Sequence, residues 1–325
     1  MINEKASKIE HKLLSDEENR TDVGFGTQIN DPATRLLNQD GSFNVKRVGW
    51  KFRDRLNIFN RLIVCSWTKF ISLILCFFFI TNLIFAFLFE LAGVENLAGI
   101  NNTSYVTRFW DAFFFSAQTL TTVGYGRIAP VGNLTSAIAA IESLMGLLIF
   151  ALFTGLLYGR FSRPVARIKF SENALITPYL DMTGFMFRIV NERANQLINL
   201  RAEIILSIIE YKADGSPRRK YIALNLERDK VNFFPTNWTI VHPITENSPI
   251  FGMTKADLQS RKAEFLILIS GTEDTFNQKV YSNNSYNADE IEFDVKFSPM
   301  FTDEIGAGAI HLDLRKLSDT YTVKK

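Results

Sequence analysis

Thr121-Thr122-Val123-Gly124-Tyr125-Gly126 joins two hydroxyl side chains and two glycines in a short run between apolar segments. The chemistry open to such a run is coordination by the main chain. Consecutive carbonyls turned to one side offer a column of oxygens that replaces the hydration shell of a bare cation. Gly124 and Gly126 lack a Cβ, so they reach the backbone angles this alignment needs. Val123 and Tyr125 are then free to face away and pack against the surroundings. One chain supplies one wall of such a column, so four copies around an axis are needed to enclose the ion.

The segments on either side have to hold that run at membrane depth. Phe70–Phe89 is an uncharged stretch of about 20 residues, long enough to cross a bilayer core. A second stretch, Asn133–Gly159, carries Glu142 as its only charge. Between them Phe109–Leu120 is apolar but too short to cross, as a re-entrant helix would be, and Trp110, Phe113, Phe114 and Phe115 can wedge it against its neighbours. Its C-terminal dipole would point into the pore cavity. Non-helical backbone at this depth is tolerated only where protein buries it or water lines it, which itself argues for an assembled pore.

The net charge of +2 is unevenly distributed. Lys46, Arg47, Lys51, Arg53, Arg55, Arg61 and Lys69 precede or open the first stretch, and Arg160, Arg163, Arg167 and Lys169 follow the second. The loop 91–107 has no Lys or Arg, so the positive-inside rule places both termini in the cytoplasm and the Thr121–Gly126 run facing outward. The first stretch begins too far into the chain and is too long for a signal peptide. Cys65 and Cys76 border or belong to it and suggest no disulfide framework. The Asn102-Thr103-Ser104 sequon is of a kind that arises often by chance. Leu56, Phe59, Leu62 and Ile63 share a stripe over Asp54–Ser66, fitting either a helix along the cytoplasmic interface or an extension of the first span.

Residues 1–30 are polar and lack periodicity, as in a mobile tail. Gly24-Phe25-Gly26 is no dinucleotide fingerprint, having no strand before it and no helix after it. Beyond Arg167 short strands alternate with turns. Ala202–Ile209, Tyr221–Leu226, Ala263–Ile269 and the alternating Glu290–Phe297 are the clearest strands, with turns expected at Asp214-Gly215-Ser216-Pro217 and Ser270-Gly271. Strands of this kind over some 160 residues suggest an all-β sandwich. The expected division is a cytoplasmic segment at 1–45, an interfacial helix and two-span pore at 46–163, and a cytoplasmic β-sandwich at 164–325. No glycine-rich first turn points to a nucleotide-binding regulator. No nucleophile with its base, phosphate cradle or nucleic-acid surface is present, and His11, His242 and His311 lack metal-ligand spacing. An enzyme reading has no residues to support it, and a non-conducting scaffold would leave the Thr121–Gly126 run unexplained.

Thr122-Val123-Gly124-Tyr125-Gly126 is the known filter sequence of potassium channels, and the chain resembles the bacterial branch of the inward-rectifier potassium channels. The resemblance spans Arg35 to Leu317. It is carried by Arg35-Leu36-Leu37-Asn38 through Asp40–Val45, by Arg160-Phe161-Ser162-Arg163-Pro164, and by His242-Pro243-Ile244, Ser248–Gly252 and Glu264-Phe265. It implies a homotetramer in a bacterial inner membrane, with an immunoglobulin-like cytoplasmic assembly that prolongs the pore. It also implies potassium as the bound and permeant ion, with no other cofactor, and a Thr122 hydroxyl that completes the innermost site.

Two departures alter what the resemblance implies. Animal members pair a glutamate behind the filter with an arginine after it, whereas Gln118 and Arg127 stand here, so that pair is in doubt. Phe150 occupies the place of the acidic residue that attracts polyamine or magnesium blockers, so weak rectification is expected. Phe150 and Tyr158 lie on nearly one helical face; in the family these positions are pore constrictions, although an aromatic on a span more often packs against lipid or a neighbouring helix. Glu142 either helps the filter, by concentrating cations or through a hydrogen bond, or is paired near the outer leaflet away from any ion. Gly146, Gly155 and Gly159 fit a helix bend or a tight crossing equally. Arg160, Arg163, Arg167 and Lys169 set topology in the plainest reading. In the sharper one, to which Lys69 contributes, they bind anionic lipid such as a phosphoinositide.

Overall fold

The computed structural model describes residues 24–25, 34–46, 49, 58–100, 104–163, 166–192, 196–212, 214–301 and 311–322. His11, Gly26, Arg47, Lys51, Arg53, residues 54–57 with Arg55, Asn102, Thr103 and Pro164 lie outside them, as does most of the expected N-terminal tail. The chain divides into two compact units, Val48–Arg163 and a second made of Met1–Arg47 with Pro164–Lys325.

The first unit is helical. A short helix α1, Ile58–Val64, precedes α2, Trp67–Ala92. Ser66 caps α2, its Oγ accepting from the Lys69 N–H, and Gly93 ends it at a φ of 94°. Helix α3, Tyr105–Leu120, begins four residues before the expected apolar stretch, α4 runs from Asn133 to Phe161, and the short strands β1 (Leu97–Ala98) and β2 (Ala129–Pro130) flank α3 in the chain. Only α2 and α4 are long and apolar enough, among the described residues, to cross a membrane. Between helices in lipid there is little hydrophobic drive, so close packing and interhelical hydrogen bonds must hold them. Phe85, Ala86 and Phe89 of α2 pack with Ala112, Phe113 and Phe115 of α3 and Ala139 of α4, and the Phe89 and Phe115 rings meet at 5.1 Å.

The second unit is a β-sandwich. One five-stranded sheet holds β6 (Leu197–Tyr211), β7 (Pro217–Leu224), β8 (Lys230–Phe233), β10 (Glu264–Glu273) and β11 (Gln278–Asn287). The other holds β3 (Ile168–Phe170), β4 (Ala174–Tyr179), β5 (Met182–Asn191), β9 (Asn237–Ile244) and β12 (Ile291–Phe293). Alternate residues of β5 and β9 meet those of β6 and β10 in the core, where Phe185 and Phe265 stack at 4.1 Å across the sheets.

Two sequence expectations fail in this unit. Ser270-Gly271 is no turn; it lies inside β10 at a register shift between Ser270 and Thr272, where a Cβ on Gly271 would come within 3.2 Å of the Leu200 side chain. Glycine here marks a bulge and a close approach rather than a reversal. Glu290–Phe297 is not one strand. It breaks at Asp294, in the left-handed region at φ 57°, so that β12 pairs in parallel with β4 while β13 (Val295–Phe297) pairs with β14 (Thr320–Thr322). Aspartate tolerates that conformation better than most residues. The expected turn at Asp214–Pro217 is present, with Asp214 Oδ1 accepting from Ser216 N–H and Oγ–H.

Residues 34–46 pack on this sandwich through a buried ion pair. Arg219 and Glu264 lie 3.4 Å apart at 3% and 2% side-chain exposure, and the Glu264 carboxylate also accepts from the Leu36 and Leu37 N–H groups. Leu37 then enters a small cluster with Tyr221 and Leu266.

His242 is buried and fully bonded, Nδ1–H donating to Asn225 O at 2.6 Å and Nε2 accepting from Ser248 Oγ at 2.8 Å. Burial lowers its pKa below the ordinary 6.5. The unfolded chain therefore takes up a proton at 6.5 that the folded chain resists, so stability is full above that pH and declines as pH falls through the folded value. Thermal unfolding followed above and below pH 6.5 should show an acid-side loss of stability, and His242→Gln should shrink that loss.

Candidate functional site

The run after α3 departs from ordinary backbone at alternate residues. Thr122, Gly124 and Gly126 have φ of 60°, 52° and 76°. The intervening Val123 and Tyr125 do not. Alternation between left- and right-handed angles turns successive carbonyls to one side, where a strand would alternate them. For Thr122, a non-glycine residue, this conformation costs roughly 1–2 kcal/mol. Hydrogen bonds from the end of α3 hold it there. Thr122 N–H donates to Thr119 O at 3.1 Å, and Val123 and Gly124 N–H both donate to Gln118 O, at 2.9 and 3.3 Å. Gln118 thus meets the run through its carbonyl. The Thr121 hydroxyl turns back to Ala117 O at 2.7 Å.

The chain leaving Gly126 is fastened to the loop after α2. Leu97 and Ala98 pair with Pro130 and Ala129, and Val131 N–H donates to Asn96 O at 2.7 Å. A Cβ on Gly99 would stand 2.0 Å from Arg127 O, so only glycine allows this approach. Arg127 forms an ion pair with Asp111 of α3 at 3.2 Å. The cation beyond the run therefore does have an acidic partner, about two turns of helix before Gln118. Asp111 could have been found as the sole carboxylate in α3.

Glu142 is completely buried, and Ser116 Oγ of α3 donates to its Oε1. Ser116 Oγ also lies 3.0 Å from Asn82 Oδ1 of α2. Ser116 thus ties the Glu142 carboxyl of α4 to α3. Ser116 and Asn82 escaped the sequence reading because isolated polar residues in apolar runs leave no periodic signal. Phe150 and Tyr158 are each 74% exposed on α4.

Among the basic residues, Arg160 is already engaged. Its guanidinium donates to Leu62 O, Ile63 O and Cys65 O at the C-terminal end of α1, and it lies 4.6 Å and 4.4 Å from the Trp67 and Phe70 ring centres. A cation there satisfies the orphan carbonyls and the negative pole of a helix end. Lys69 and Arg163 are exposed in the helical unit, and Arg167 and Lys169 are exposed in the β unit. Arg160→Ala should cost about 1–3 kcal/mol by stranding those carbonyls, seen as a lower unfolding temperature in detergent. A changed response to anionic lipid with unchanged thermal stability would contradict this assignment.

Comparison with known proteins agrees with this architecture. A profile of the inward rectifier potassium channel C-terminal domain matches residues 168–325, and an ion channel profile matches residues 73–163. The chain is 35% identical over 288 residues to inward rectifier potassium channel Kirbac3.1 of Paramagnetospirillum magnetotacticum, covering 88% of this chain and 95% of that one. It is 27% identical to human inward rectifier potassium channel 4, over 67% of this chain and 51% of that longer protein. With ATP-sensitive inward rectifier potassium channel 12 of Gallus gallus the figures are 25%, 83% and 68%. With two membrane-spanning helices, an ion-channel pore region and a β-sandwich, the chain belongs to the inward-rectifier potassium channel family, a family of ion channels and not of enzymes.

Proposed function

We propose that four copies of this chain surround a pore through which potassium flows passively, selected by the carbonyls of Thr121–Gly126 and the Thr122 hydroxyl. The observation that carries this reading is the alternation of left-handed angles at Thr122, Gly124 and Gly126, held by the carbonyls of Gln118 and Thr119. Tyr125 is 78% exposed in the single chain, as expected of a side chain that packs on the wall of an adjacent copy. Phe150 and Tyr158 ring the lower pore and gate it by dewetting, a mechanism that suits hydrophobic constrictions. No Arg-rich span accompanies the pore, so opening follows signals other than voltage, transmitted by residues 164–325 as a cytoplasmic gating assembly.

Both termini face the cytoplasm of a bacterial inner membrane, and α1 lies along the inner interface. Arg163, Arg167, Lys169 and Lys69 sense anionic lipid, each basic residue contributing about 1 kcal/mol near a negative surface. Arg160 has a structural role instead. Phe150, lacking a carboxylate, leaves rectification weak. Purified protein in liposomes tests the proposal: potassium-dependent flux, blocked by barium and absent with sodium, is the expected result. Equal passage of sodium, or no flux in any lipid mixture, would overturn it.

A further inference from the structure

Gly146 and Glu142 lie one turn apart on α4, and both face α3. A Cβ built on Gly146 would stand 2.0 Å from Leu120 O and 2.9 Å from Leu120 C, a separation no side chain can occupy. The hydrogen in that position points at the carbonyl, a Cα–H···O contact of the kind found where helices cross closely. Leu120 ends α3 and stands two residues before Thr122. One turn earlier on α4, Glu142 meets Ser116, which reaches Asn82 of α2, and all three are wholly buried. The Asn82 amide is itself anchored, donating to Phe78 O at 2.7 Å. By contrast, a Cβ on Gly155 would meet nothing within 4 Å, and one on Gly159 would make only ordinary contact with Ile63.

We propose that Gly146 is a positioning residue for the filter. At Gly146 and at Glu142 the second span holds α3 on two consecutive turns, so a displacement of α4 at Phe150 and Tyr158 reaches the carbonyls at Thr121 and Thr122. This inference rests on residues 121–126 being the filter. Alanine is the better helix former, so its introduction at a merely hinging or spectator position would favour the helix. At position 146 it must push Leu120 away, and with it the inner end of the filter.

The test uses the full chain in liposomes, with barium block and the potassium-to-sodium flux ratio as readouts that belong to the filter. The unaltered protein is measured first; if it shows no potassium-selective flux, the filter reading fails. Given such flux, Gly146→Ala should weaken barium block about tenfold or more, as expected when a reacting or binding centre is misplaced by a fraction of an ångström. Gly155→Ala should leave the barium affinity unchanged. Ser116→Ala, which adds no atoms, should shift it in the same direction as Gly146→Ala by a smaller factor. A Gly146→Ala protein that conducts with unaltered barium affinity and selectivity overturns the inference and leaves the filter reading intact. Should that variant fail to assemble, Ser116→Ala decides alone, and unaltered block in it overturns the inference equally.

Discussion

Gly124→Val is expected to abolish discrimination between potassium and sodium while leaving the protein folded. The difficulty is not space, since a Cβ at Gly124 would meet nothing within 4 Å. It is conformation: φ is 52°, where an L-residue costs roughly 1–2 kcal/mol and a β-branched one more. In the proposed tetramer, four copies would raise that to about 4–8 kcal/mol per pore. Three backbone hydrogen bonds, donated by Thr122, Val123 and Gly124 to the Thr119 and Gln118 carbonyls, oppose relaxation, each worth about 0.5–1.5 kcal/mol net. The cheaper escape is a peptide flip to negative φ, which turns one ring of carbonyls off the axis. Flux of potassium and sodium into liposomes, measured beside the thermal stability of the same preparation, separates this from misfolding. Semisynthetic D-alanine at 124 supplies the converse, because positive φ is its normal basin, and it should retain selectivity. Intact selectivity in the valine variant would remove Gly124 from the coordinating column.

Much of this architecture could be read from the chain, for physical reasons that also explain the failures. Long apolar runs, uncharged in the first case and broken only by Glu142 in the second, mark α2 and α4 because the hydrocarbon core disfavours charge over that length. Thr122–Gly126 is legible because glycine at alternate positions marks backbone that other residues avoid. The strands of the sandwich show in their alternation, but Gly271 and Asp294 were misassigned or missed. Both act through a neighbouring strand, one by admitting Leu200 and the other by sending β13 to β14, and pairing partners are not written locally. The same limit hid the supports of the site. Asp111 finds Arg127 sixteen residues on, Ser116 joins Asn82 to Glu142, and Arg160 reaches carbonyls nearly a hundred residues earlier. Counting charges finds Arg160 as a cation at the membrane surface. Only the fold shows that three carbonyls and two rings already occupy it.

Phe150→Asp should convert weak block by spermine into strong, voltage-dependent block from the cytoplasmic side. In the proposed tetramer, four carboxylates around the pore axis would attract a polyamine over distances where the effective dielectric is well below that of water; a unit pair at 4 Å is worth about 4 kcal/mol at an effective dielectric of 20. Even a third of one such pair lowers the half-blocking concentration about tenfold. Each blocker charge that crosses the full field adds about 2.3 kcal/mol per 100 mV, so block should steepen with depolarisation. Phe150→Asn provides the control, equally polar and uncharged, and should leave block weak. The side chain is 74% exposed in the single chain, which fits either a pore lining or a lipid-facing position, and the two diverge under this substitution. On the lipid face an aspartate would cost about 2.5–3.5 kcal/mol per span and lower the yield of assembled channel without creating a blocker site. Lining the pore, it stays hydrated and the channel assembles. Stable channels with unchanged spermine sensitivity would therefore place Phe150 outside the conduction path, and with it the constriction assigned to α4.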